Sequence, residues 1–381
     1  MDQYLKRTWA EVDLDAIAHN YNMIKKAVGN AECMCVVKAD AYGHGAVPVA
    51  RQLFNCGARY FAVSNIEEAL QLRDGGISGD ILILGYTPPE LADVLYINDI
   101  SQTVFSVSGA EKLAQSSRGR SIKVHIKVDT GMSRLGLNGS IEDISAQAEK
   151  ICAISGLRAE GIFTHFARAD EETSDATDEQ FRVYSAVIKL LSERGIDFKY
   201  KHCCNSAGVI AYPQYLMNMC RPGIILYGTS PFGGEFGRPA MTLKTVVSQI
   251  KTIPSGTPIS YGGRFVTQRE SRIAVLTIGY ADGFSRQLSG KAQVLINGKR
   301  INTVGNICMD MTMADVTDTD VKEGDTAVVI GRDGDDVITA EDIAHLTDTI
   351  PYEVISLIGK RVPRVFLKNG EIVGRTGLLE R

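Results

Sequence analysis

A chain of 381 residues is too long for one ordinary domain and implies two or three, or one large barrel with a second unit. Hydrophobic content of 44% with 23% charged residues is that of a soluble globular protein. A formal net charge of −4, with Lys and Arg scattered, argues against nucleic acid or a membrane surface as a partner. The N-terminus carries charges where a secretory leader needs an apolar stretch, and no apolar run nears the roughly 20 residues of a spanning helix. The eight cysteines form no CxxC pair, which argues against zinc ribbons and thioredoxin-like motifs. A cytoplasmic, reducing setting without a metal site is therefore expected.

Over the first two-thirds, eight short apolar runs alternate with amphipathic stretches, at 33–37, 60–63, 81–84, 102–105, 122–128, 160–164, 200–204 and 223–227. Helix starts are signalled by Ser64-Asn65-Ile66-Glu67, which reads as a capping box, and by Ser108 and Ser140. Phe181, Tyr184, Val187, Ile188 and Leu191 recur at a helical period across 180–193. Eight strand–helix repeats predict a (β/α)8 barrel of the TIM type over residues 1–236.

Beyond about residue 237 the pattern changes to strand-like runs at 242–252, 272–279, 292–296, 300–304, 311–316, 326–330 and 362–367. Asn297-Gly298 and Asn369-Gly370 are hairpin turn signals, and one helix is expected at 340–346 after Thr339. Residues 237–381 thus read as a mostly-β C-terminal domain, and the strand-like stretch 8–12 is expected to join its sheet.

In such barrels, functional residues gather where strands end. Lys38 ends the first apolar run. Lys127 and Arg134 lie at and after the end of the fifth, and His165 ends the sixth. Asn205 and Ser206 follow the seventh. Arg221 stands at the entry to the eighth, with Tyr227 near its end. Lysines are nearly always solvated, so Lys38 alone reads as a strand-end cation. An amine desolvated at a pocket mouth, however, loses proton affinity and can attack a carbonyl. With Tyr42 and the glycine-rich turn behind it, Lys38 suits an aldehyde cofactor. Asn205-Ser206-Ala207-Gly208 and Arg221-Pro222-Gly223-Ile224 offer small residues and backbone amides for a phosphate.

With these residues noted, the chain resembles the alanine racemase family almost end to end. VVKADAYGHG, KVDTGMSRLG, THFARAD, NSAG, RPGIILYG, SYGG, GYADGFSR, NICMDM and IPYEV occur in that order. The resemblance implies pyridoxal 5'-phosphate held by Lys38 as a Schiff base. It also implies two opposed acid/bases, Lys38 and Tyr261, with Tyr261 supplied by the partner subunit of a homodimer. Arg221 would meet the pyridine nitrogen. An arginine stays protonated, which weakens the ring as an electron sink and favours racemisation over decarboxylation. Arg134 would reach the phenolic oxygen and substrate carboxylate beside Lys127, which is carbamylated in many members. His165 would pack by the ring or bond Arg221.

Tyr42, Ser206, Gly223, Ile224 and Tyr352 would surround the phosphate. Met309 and Cys308 would line the substrate carboxylate, while Asp170, Tyr280, Arg286 and Asp310 would line the entryway. One departure stands out: Asn306 replaces the family's usual arginine in Gly305-Asn306-Ile307-Cys308-Met309-Asp310. The implied activity is interconversion of L- and D-alanine for peptidoglycan precursors. The alternatives are a serine or broad-specificity racemase and a non-catalytic cofactor-binding barrel.

Overall fold

The computed structural model describes residues 7–171 and 175–377; the first six residues of the charged N-terminus lie outside them. The chain divides into two compact units. One comprises Ile17–Ala41 and Ala46–Arg238; the other comprises the N-terminal residues up to Ala16, Tyr42–Gly45 and the chain from Pro239 onward. The first strand, β1 (Thr8–Asp13), belongs to the second unit, where it pairs antiparallel with Met241–Ile253 and parallel with Arg364–Lys368.

The first unit is a closed parallel barrel of eight strands: β2 (Glu32–Val36), β3 (Tyr60–Val63), β4 (Asp80–Ile83), β5 (Ile100–Val104), β6 (Ile122–Lys127), β7 (Leu157–Phe163), β8 (Tyr200–His202) and β9 (Met219–Cys220). β9 closes on β2 with Cys33 opposite Cys220. Strands covered on both faces read as continuous apolar runs rather than alternating ones. Accordingly Phe61, Ile81, Leu82, Ile83, Val124 and Ile126 are all buried. Ser140 and Asp143 form a capping box at the head of Ile141–Cys152. The long helix Ala176–Glu193 buries Tyr184, Val187 and Leu191. The Tyr184 hydroxyl donates to the Ile162 carbonyl at 2.7 Å and accepts from the His202 N–H at 3.1 Å, tying that helix to β7 and β8.

Three local expectations are corrected. The eighth strand is Met219–Cys220, so Arg221 follows it rather than preceding it. The apolar run after it is a 3-10 helix, Ile224–Tyr227, entered through Pro222 and through Gly223 at φ −122°, ψ −95°. All four residues of that turn are buried, and a buried apolar run does not reveal its own periodicity. Two caps are also displaced. The helix Ile66–Asp74 is capped by Asn65, whose side chain accepts from the Glu68 N–H, and Val107–Ser116 is capped by Ser106. Each start offers two adjacent capping-type residues or a near neighbour, and the extended backbone of Asn65 and Ser106 decides which one caps.

In the second unit, Thr326–Asp333, Gln293–Ile296, Lys299–Val304, Thr312–Asp315, Ser271–Leu276 and Met241–Ile253 are hydrogen-bonded in that order. Met241–Ile253 also pairs back to Thr326–Asp333. β1, Arg364–Lys368 and Glu371–Thr376 extend the sheet at one end. Asn297 and Asn369 adopt φ +52°, each followed by a left-handed glycine, as two-residue hairpin turns require. Leu243, Val247, Leu276, Val294, Leu295, Ile301 and Val329 form the core. Glu371–Thr376, Asp336–Ile338 and the helix Pro351–Ser356 add to the expected elements, and Ala340–Thr347 is the helix capped by Thr339.

Candidate active site

The chain leaves β2 through an unusual turn. Ala39, Asp40 and Ala41 hold φ between +52° and +55° with ψ near +50°, a left-handed helical conformation that Tyr42 continues at φ +53°. L-residues lose roughly 1–2 kcal/mol each there, so outside bonds must hold the turn. The Glu68 carboxylate accepts from the Ala39 N–H at 2.8 Å and the Ser64 N–H at 2.7 Å, and Asp40 accepts from the Ala46 N–H at 2.7 Å. Lys38 is thereby fixed at the barrel end. Burial, and then the Arg134 charge, lower its pKa, while Glu68 partly opposes them.

Four other basic groups share this end of the barrel. Lys127 closes β6, 6% exposed, with its amine 4.8 Å from the Phe163 ring centroid. Burial first, then Arg221 and Arg134, bring its pKa from 10.5 down to about 7. Arg134 sits on the loop after β6. The Asp129 carboxylate shapes that loop by accepting from the N–H groups of Gly131, Met132 and Ser133, each at 3.0 Å. Gly136 is obligatory in it: at φ +141°, a Cβ would lie 2.3 Å from the Asp129 nitrogen. Arg134 and this loop line a cavity of about 400 Å³.

Arg221 is 3% exposed. Its Nη2 donates to the carbonyls of Thr164 (2.8 Å) and Cys203 (3.0 Å) and to His165 Nδ1 (3.1 Å), and its Nη1 donates to His202 Nδ1 (2.9 Å). Its partners are thus two carbonyls and two imidazoles, none of which offsets its charge. Burial, then Arg221, Lys127, Arg134 and Lys38, push the His165 pKa well below its ordinary value.

Two histidines here escaped the sequence reading. His202 Nε2 meets His125 Nδ1 at 2.9 Å. A guanidinium can only donate, so His202 Nδ1 accepts, His202 Nε2–H donates, and His125 carries its proton on Nε2. Burial first, then Arg221, lower the His125 pKa to about 3, so the relay is neutral. Gly161 makes the room: a Cβ there would lie 2.4 Å from His125 Nδ1, where the β6–β7 register shifts. The available signal was that His125 and Lys127 share one face of a strand.

The expected phosphate segments also lie in this unit. Asn205 caps the short helix Ser206–Ala211, accepting from the Gly208 N–H at 2.9 Å. Ser206 Oγ accepts from the Gly223 N–H at 2.9 Å, which brings the heads of that helix and of Ile224–Tyr227 together. Asp170 is exposed in the turn after β7.

In the second unit the remaining residues form two groups. The Tyr42 and Tyr352 ring centroids are 6.1 Å apart. Ile259, Ser260, Tyr261, Cys308, Met309 and Asp310 line a cavity of about 450 Å³. Tyr261 is 71% exposed and Met309 53%. The N–H groups of Tyr280 and Ala281 donate to the carbonyls of Cys308 and Met309, both at 3.0 Å. Gly279 permits this approach, since a Cβ would lie 2.4 Å from both carbonyl oxygens. Asp282 is fully buried and accepts from Arg7 at 2.9 Å, Arg361 at 2.8 Å and the Gly279 N–H at 3.0 Å. Burial alone would raise its pKa, but these donors hold it below the usual carboxylate range. Arg361 also bonds Asp310 at 2.6 Å. Arg286 opens the short 3-10 turn Arg286–Leu288.

A barrel whose strand ends gather a desolvated lysine, a buried arginine and further cations has the chemistry to receive an anionic, carbonyl-bearing group. The alanine racemase N-terminal domain model matches residues 12–231 and the C-terminal domain model matches residues 240–366. The alanine racemase 1 of Clostridium acetobutylicum is 44% identical over 98% of both chains. That of Desulforamulus reducens is 45% identical over 94% of this chain and 98% of its own. Among solved structures, Bacillus anthracis alanine racemase with bound L-Ala-P superposes with a TM-score of 0.94 at 38% identity, covering 99% of each chain. Bartonella henselae alanine racemase with covalently bound pyridoxal phosphate gives 0.85 at 31% identity, over 95% of this chain and 99% of that one. The chain belongs to the alanine racemase family and is an amino-acid racemase, an isomerase.

Proposed function

We propose that this enzyme interconverts L- and D-alanine with pyridoxal 5'-phosphate, as a cytoplasmic homodimer that supplies D-alanine for peptidoglycan precursors. The observation that carries the proposal is the gathering of Lys38, Lys127, Arg134, His165 and Arg221 at one end of the barrel, where burial and the Arg134 charge lower the Lys38 pKa. That donor set fits the cofactor: an amine able to lose its proton, buried cations for anionic groups, and two short helix heads for a phosphate. Bound pyridoxal phosphate supplies an electrophilic carbonyl and a conjugated ring that draws electrons from the substrate Cα–H bond.

The chain's own residues do the rest. Lys38 anchors the cofactor and, once released, takes or returns the α-proton on one face. Tyr261 of the partner subunit serves the other face, which inversion at carbon requires. Arg221 would face the ring nitrogen as a permanent donor, which would disfavour full protonation there and limit side reactions. His165 braces Arg221, while Arg134 orients the substrate carboxylate. Tyr42, Asn205, Ser206, Gly223, Ile224 and Tyr352 receive the phosphate. Cys308 and Met309 line the carboxylate side, and Asp170, Tyr280, Arg286 and Asp310 the entry path. The working division is a cofactor-holding domain, 1–236, whose β1 joins the other sheet, and a mostly-β domain, 237–381, that contributes Tyr261.

Borohydride treatment of the yellow holoenzyme followed by peptide mass spectrometry tests the anchor. The cofactor mass should appear on Lys38; a colourless protein, or label elsewhere, contradicts it.

A further inference from the structure

The turn that carries Tyr261 is strained. Ser260 sits at φ +64°, ψ −177°, where side-chain-bearing residues are rare, and Gly262 and Gly263 follow at φ +72° and +55°. Within the turn, the Gly263 N–H donates to the Ser260 carbonyl at 3.1 Å. The other bonds come from the segment bearing Cys308 and Met309. Ser260 Oγ donates to the Asn306 carbonyl at 2.7 Å, and Asn306 Nδ2 donates to the Tyr261 carbonyl at 2.5 Å. Cys308 Sγ lies 3.5 Å from Ser260 Oγ. The two segments are close because residue 305 is glycine: at φ +69°, a Cβ there would lie 2.8 Å from the Ile259 carbonyl oxygen and 2.9 Å from Ser260 Cβ.

Asn306 is 4% exposed while Tyr261 is 71% exposed. One buried residue therefore grips two successive residues of an exposed turn, accepting from Ser260 with its backbone and donating to Tyr261 with its side chain. We propose that Asn306 is a positioning residue for Tyr261. Its amide holds the left-handed turn so that the phenol projects from a fixed base. This deepens the reading of Tyr261 as the second acid/base and rests on it.

The donor is neutral, and its loss leaves a half-buried carbonyl unpaired. Asn306→Ala removes the bond. Asn306→Asp keeps the shape but sets a carboxylate against a carbonyl. Ser260→Ala removes the companion bond and serves if either Asn306 variant fails to fold.

The test compares these variants as holoenzymes, by hydrogen exchange of the amides at 260–263 and by steady-state kinetics with both alanine enantiomers. Exchange of the Gly263 N–H, which closes the turn onto the Ser260 carbonyl, should accelerate at least about tenfold. The kcat should fall roughly ten- to a hundredfold, as small misplacements of catalytic groups do, with KM within about twofold and the cofactor absorbance unchanged. The Asp variant should be the slower of the two. Unchanged exchange overturns the clamp whatever Tyr261 does. Faster exchange with unchanged kcat overturns the positioning role, and Tyr261→Phe then tests the acid/base role by itself. A loss confined to KM or to cofactor binding overturns the positioning role.

Discussion

Lys127→Met removes a buried amine whose charge the fold resists. Burial, Arg221 and Arg134 bring the Lys127 pKa from 10.5 down to about 7. At about 1.4 kcal/mol per tenfold change in proton affinity, keeping it charged costs on the order of 5 kcal/mol. For a base whose folded pKa is depressed, the unfolded chain holds the proton that the folded chain releases. The cost is therefore full below about pH 7 and is relieved as pH rises through 10.5, so wild-type stability should rise against the variant across that window. Near pH 7 about half of the amine is neutral, and that is the form that adds CO2, giving a carbamate and a released proton. The product is an anion beside Arg134 and Arg221, which reverses the repulsion. We propose that this modification is how the residue is carried in the working enzyme. Urea unfolding from pH 6 to 10 should show the wild type gaining several kcal/mol over Lys127→Met in CO2-free buffer, with the gain already present near pH 7 in bicarbonate. With 13C-bicarbonate, a carbamate resonance should appear in the wild type alone. Parallel stability curves, and no resonance, would refute the reasoning.

Three further outcomes are expected. His202→Phe keeps the ring but leaves Arg221 Nη1 and His125 without their mutual partner, which should cost about 1–3 kcal/mol in thermal or urea unfolding. The unfolded chain protonates His125 below pH 6.5, whereas the folded chain resists to about pH 3, so stability is lost as pH falls between these values. His125→Phe should flatten that acid slope, and an unchanged slope would show the relay to be incidental. Gly279→Ala must displace the carbonyls of Cys308 and Met309, costing about 1–3 kcal/mol in urea unfolding and raising KM.

The barrel was legible because each buried strand is a short apolar run and the helices between carry caps and a 3.6-residue period. The end of the barrel was harder. Met219–Cys220 is only two residues long, and the apolar 3-10 turn after it is equally buried, so the longer run looked like the strand. The left-handed turn after Lys38 had no sequence signal, since Ala39-Asp40-Ala41-Tyr42 contains no glycine; it is held by Glu68, remote in sequence. Lys38, Lys127, Arg134, His165 and Arg221 could be picked out as strand-end residues. His125 and His202 could not, because a lone histidine in a strand ordinarily reads as core. Asn306 stood out only as a departure, and its bond to the Tyr261 carbonyl depends on the fold of the second unit.

The central claim is two opposed acid/bases, Lys38 and Tyr261. It is tested most directly by following α-hydrogen exchange in deuterated water for a panel of L-amino acids and D-alanine, with wild type and Tyr261→Phe. Wild type should deuterate and invert alanine in preference to serine and larger residues. Tyr261→Phe should nearly abolish inversion while Lys38 still exchanges the hydrogen of the enantiomer it faces. Full inversion by the Phe variant, or wild-type exchange that ignores alanine, would contradict the account.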